Sequence, residues 1–158
     1  MDLNKLTTGD RVIAVSGIVL FIFSFFDWLG AKVGSGPLEF SEAKSAWGFT
    51  LTLIAVLLGI AMVALVALKL LDVSLPDLGS QVTWGLVLLI MGAIAFAFVL
   101  IKLIAGPNLG DAADVAGVDK TREFGIFVGL VATAGLGLGG FLRFQEDKST
   151  PPSAPPNA

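Results

Sequence analysis

The 158-residue sequence has no cysteine, no histidine and no tyrosine. Without cysteine there are no disulfides, no thiol nucleophile and no thiolate metal site. Without histidine the chain lacks the commonest metal ligand and the side chain best suited to proton transfer near neutral pH. Without tyrosine it lacks a phenol. Charge is scarce as well: 10 Lys and Arg and 13 Asp and Glu make up 15% of the chain, against about 25% in soluble domains. The net charge of −3 is spread through the polar segments, which excludes a nucleic-acid-binding face and a basic patch for the membrane surface. No Walker A, HExxH or GxSxG motif occurs, and no cofactor is implied.

What is present is apolar. Hydrophobic residues make up 55% of the chain and fall in four blocks, about 12–29, 47–71, 84–104 and 124–142. Each is near the ~20 residues needed to cross a ~30 Å hydrocarbon layer as a helix. Their continuous apolar character lacks the alternation of a membrane barrel, the other architecture that satisfies every backbone group in lipid. The expected fold is all-α: a four-helix transmembrane bundle over residues 1–144 with short loops. The tail 145–158, "QEDKSTPPSAPPNA", has too few apolar side chains to fold and reads as disordered and cytoplasmic. The first block follows a charged segment as a signal peptide would. "FDWLGA" offers no small-x-small cleavage site, so it reads as an uncleaved signal anchor. Between blocks one and two, "GAKVGSGPLEFSEAKSA" reads as a loop whose turns come from Gly30, Gly34, Gly36 and Pro37.

Trp47 and Trp84 open the second and third blocks, and Lys69 and Lys102 close them; Trp28 ends the first. These read as interface anchors, since tryptophan prefers the membrane boundary and lysine snorkels to it. Asp27, beside Trp28, reads as a loop residue. The centres of the blocks hold no Asp, Glu, Arg or His, which argues against a proton-coupled carrier or a charged pore. Asp111, Asp114 and Asp119 depart from the calcium-loop spacing and lack its closing glutamate; no metal site is implied. The strongest internal pattern lies in block four. There Gly125, Gly129, Thr133 and Gly137 recur every four residues, and Gly135 and Gly139 form a second such pair. Small residues at that spacing let helix backbones approach closely, within the bundle or in self-association through this helix.

The stretch "LTTGDRVIAVSGIVLFIFSFFDWLG", the tryptophan pair formed by Trp28 and the "SAWG" of 45–48, and "REFGIFVGLVATAGLGLGGFL" together resemble a group of small four-span integral membrane proteins of actinobacteria. The resemblance covers most of residues 5–143, although those proteins often carry proline where this chain has Asp27. It implies a multi-pass cell-membrane location with both termini cytoplasmic, and no particular reaction. Charge gives no orientation: Lys5, Arg11, Lys69, Arg143 and Lys148 on one side balance Lys32, Lys44, Lys102, Lys120 and Arg122 on the other. The partners implied are the lipid bilayer and either another membrane protein or a second copy through block four. The expected function is a non-enzymatic accessory or scaffolding subunit of a larger inner-membrane assembly. The alternative is a small oligomeric channel or transporter lined by Ser16, Ser24, Thr50, Thr52 and Thr133.

Overall fold

The computed structural model describes residues 3–34, 36–79, 81–107 and 118–150. Four helices, α1 (Thr8–Phe23), α2 (Thr50–Leu70), α3 (Trp84–Ala105) and α4 (Phe124–Ser149), pack in a ring in which each touches the next and α4 closes back on α1. Their starts are written locally. Thr7 caps α1 with a capping box: its hydroxyl accepts from Asp10 N at 3.3 Å and the Asp10 carboxylate accepts from Thr7 N at 3.2 Å. Thr83 caps α3 by accepting from Leu86 N at 3.2 Å. Gly106, at φ +74°, ends α3 just before Pro107.

The structure corrects the all-α expectation. The segments between α1 and α2 and between α3 and α4 supply three antiparallel strands, β1 (Asp27–Val33), β2 (Phe40–Ser45) and β3 (Asp119–Arg122), in the order β2-β1-β3. The molecule is therefore a helical ring with a small sheet over one end. The expected first crossing, 12–29, is also revised. Its helix stops at Phe23, and residues 27–29 belong to β1. At 16 residues α1 is about 24 Å long, whereas α2, α3 and α4 are each long and apolar enough to cross a membrane. Gly30, expected in a turn, is buried in mid-strand, and the hairpin bend falls at Gly34 (φ +94°) and Gly36 (φ +69°), in the left-handed region that favours glycine. Asp27 opens β1 and is exposed. Residues 145–149, expected to belong to a disordered tail, continue α4 to Ser149; residues 151–158, Asp111 and Asp114 lie outside the described residues.

The core runs along the ring axis through Ile13, Leu20, Val56, Met62, Leu88, Ala95, Val99, Ala132 and Leu136, all buried. The outward faces are apolar too, with Val15, Ile18, Leu57, Ile90, Ile101, Val131 and Leu138 exposed. Charged side chains on the helices lie near their ends. An apolar belt of this extent on all sides is what a bilayer, and not water, covers.

Small residues set the spacing of the ring. A Cβ on Gly92 of α3 would lie 2.8 Å from Gly137 Cα, and one on Gly140 of α4 would lie 2.7 Å from the Leu88 carbonyl. The α3–α4 contact is thus made backbone against backbone. Gly137 itself has room, its nearest neighbours for a Cβ being Gly92 backbone atoms at 3.8 and 3.9 Å. Gly92→Leu or Gly140→Leu should destabilise the protein by about 3 kcal/mol through overpacking. Gly137→Ala should change stability by less than about 1 kcal/mol. Thermal unfolding in detergent distinguishes the two; equal losses at positions 92 and 137 would contradict the packing described.

Candidate functional site

The antiparallel ring brings two sets of polar groups together, one at each end. The first end gathers the start of α1, the end of α2, the start of α3 and the end of α4. Asp10, only 2% exposed, forms an ion pair with Lys69 and lies 3.8 Å from Arg143 Nη1. Arg143 also pairs with Asp147 at 3.2 Å, one turn along α4. Asp147 accepts from the Gly85 amide at 2.8 Å, and Glu146 accepts from the Gly9 amide at 3.3 Å. Carboxylates thus meet the N-terminal amides of α1 and α3, where the helix dipole favours negative charge. Outside this cluster, Lys5 pairs with Asp72 at 2.6 Å in the open. A cavity of about 620 Å³ lies beside the cluster, bordered by Thr7, the 75–79 loop, Trp84, Arg143 and Glu146. The second Glu146 oxygen, Oε2, is shielded from solvent and has no hydrogen-bond partner among the described residues.

The second end carries the sheet. A bulge interrupts the β1–β2 register between Asp27 and Leu29, so Trp28 is the extra residue. Its indole is fully buried. It fills a slot on α4, where a Cβ on Gly125 would lie 2.5 Å from the Trp28 ring and one on Gly129 would collide with it as well. Trp28 Nε1 donates to Phe23 O at 2.8 Å, and its own carbonyl accepts from Glu123 N at 2.9 Å. Ser24 Oγ donates to Phe21 O at 2.6 Å and accepts from Trp47 Nε1 at 3.1 Å. On β3, Arg122 donates to Leu103 O at 2.7 Å and Ile104 O at 3.1 Å, closing the carbonyl end of α3. From Gly34 outward the hairpin is exposed, with Leu38 and Phe40 each 74% exposed and Val33 44%.

The expected anchors therefore part company. Trp28 is a core residue. Trp47, 37% exposed, stacks on Phe25 at 5.7 Å. Trp84 is half-buried and donates to Pro76 O at 3.1 Å. Lys69 is an ion-pair partner, and Lys102, 2% exposed, sits 4.6 Å from the centre of the Phe49 ring. The small residues of α4 face the chain's own elements. Gly125 and Gly129 meet Trp28, Gly135 meets Ser16, Gly137 meets Gly92, and Gly139 meets Ile13. The Thr133 hydroxyl is turned back to Gly129 O at 2.9 Å. Asp10, Arg143 and Arg122 escaped the sequence reading. Asp10 carried a signal, since "TTGD" ahead of an apolar run has the form of a cap with an acid in the first turn. Among the described residues no group of three or more His, Cys, Asp or Glu is placed to hold a metal ion. No protein-family model and no curated protein matches the chain.

Removing the buried carboxylate leaves two cations facing each other at the first end. Asp10→Ala should cost about 3 kcal/mol, the order expected for breaking a buried pair. Lys5→Ala, at an exposed pair, should cost less than about 1 kcal/mol. Denaturant unfolding in detergent measures both, and a near-neutral Asp10→Ala would show that the cluster does not hold the helix ends.

Proposed function

We propose that the protein is a multi-pass membrane protein that works by association and without catalysis, as an accessory or scaffolding subunit of a larger assembly in the inner membrane. In this reading α1 is the fourth crossing. The exposed Phe25 and Phe26 extend its apolar surface beyond the helix, and both termini lie in the cytoplasm, as the resemblance to four-span proteins implies. The sheet then faces outward.

One observation carries the reading. α4 meets α3 and α1 through backbone-close contacts, while the projecting hairpin holds Leu38, Phe40, Glu42 and Lys44 exposed. Three of the five hydroxyls that could line a water path are turned to backbone carbonyls instead: Ser24 to Phe21 O, Thr52 to Ala46 O at 2.6 Å and Thr133 to Gly129 O. Exposed Leu38 and Phe40 at the end of a polar hairpin are the kind of apolar contact that partners bury.

Affinity purification in mild detergent with crosslinking should retain a larger membrane-protein partner. Leu38→Ser with Phe40→Ser should release that partner without unfolding the bundle. Recovery of the protein alone, together with ion conduction on reconstitution, would replace the reading with a channel.

Orientation is tested separately. Single cysteines at the exposed positions Ser41, Asp77, Asp119 and Ser149 should react with an impermeant maleimide on intact cells at 41 and 119 only. Labelling at 77 and 149 only would invert the topology, and labelling of 41 together with 77 would change the number of crossings.

A further inference from the structure

We infer that the outer edge of β2 is a self-association surface on which a second copy of this chain lays its own β2 antiparallel, joining two three-stranded sheets. This stands apart from the accessory-subunit reading and does not require it. The outer edge pairs with no other strand among the described residues, and every β2 residue from Phe40 to Lys44 is exposed. An edge of this kind presents a row of free amides and carbonyls, and proteins ordinarily block it with a bulge or with repelling charge. The bulge here lies on β1 at the base of the hairpin, and residues 40–44 keep a regular register with β1.

The charges on this edge complement themselves. With Ala43 opposite Ala43 on a two-fold axis, Glu42 of each copy stands opposite Lys44 of the other, and Ser41 opposite Ser45. Both ion pairs arise from one symmetric register, as an isologous contact requires. Within their own sheet these side chains have no such company. Glu42 lies opposite Ala31 and Lys44 opposite Leu29, and neither forms an ion pair among the described residues, whereas the neighbouring Lys32 and Glu39 pair at 3.5 Å. The rival surfaces are committed elsewhere. β3 has four residues and its Arg122 holds the end of α3, and the glycine row of α4 is covered by Trp28, Ser16, Gly92 and Ile13.

The absence of native cysteine makes the test direct. Opposed residues in an antiparallel pair have Cα atoms about 4.5–5.5 Å apart, inside the roughly 4.4–6.8 Å that a disulfide spans. Ala43→Cys in the full-length protein in detergent, where copies meet in any orientation, should give a disulfide-linked dimer under mild oxidation. Asp77→Cys, at the other end, should not. In the Ala43→Cys background, Glu42→Lys and Lys44→Glu each set like charges opposite one another twice and should weaken dimer formation about tenfold. Mixing those two proteins restores opposite charges at both positions and should restore the crosslink. Circular dichroism and thermal unfolding confirm that each variant is folded. Crosslinking at 43 no greater than at 77, or crosslinking that ignores the charge reversals, would overturn the inference.

Discussion

The contact between Trp28 and the glycines of α4 is the constraint on which the rest of the architecture hangs. It occupies one strand residue, set out of register by a bulge, and two positions on a helix where a methyl group would collide. Through it the sheet becomes part of the core. The same residue serves the backbone at two helix ends, because its indole takes the Phe23 carbonyl and its own carbonyl takes the amide just before α4. Orphan groups at helix ends are costly wherever water is excluded. Here one strand residue, by its indole and by its own carbonyl, accounts for one at each of two helices.

The two ends of the ring treat charge differently. At the first, nearly every carboxylate meets a cation or a helix amide, so the cluster joins the starts of α1 and α3 to the ends of α2 and α4. Such pairing gives position at little net gain in stability. At the second, Arg122 closes α3 while the hairpin beyond leaves Leu38, Phe40, Glu42 and Lys44 exposed. Paired charge at one end and exposed side chains at the other are the basis of the association proposed above.

The helices were legible because apolar blocks of this length have few alternatives. The start of α3 and the near ends of α2 and α4 fell within three residues of the expected positions. The sheet was not legible. β1, "DWLGAKV", and β2, "FSEAKS", are short, carry charge and glycine, and alternate poorly, so their strand character comes from pairing with each other and with β3. α1 looked longer than it is because "SFFDWL" is apolar, and hydrophobicity alone does not separate a membrane helix from a turn and a buried strand. The recurrence of small residues in the fourth block did mark a close-packed helix, but it did not name the partner. Trp28 was read as a boundary residue because the position of a tryptophan beside an apolar block carries no sign of whether it points outward or in.

The sheet also imposes an order on assembly. β1 has two neighbours: β2 follows within a few residues, whereas Arg122, opposite Leu29, comes more than ninety residues later. A chain emerging from its N-terminus can fold the hairpin as soon as α1 and β2 are made. It must then wait for α3 before β3 can add its strand and α4 can receive Trp28. Throughout that interval the indole and the inner edge of β1 have no native place to go, and closing such a distant contact is slow. α4, synthesised long after the hairpin, is thus the helix that completes the first loop.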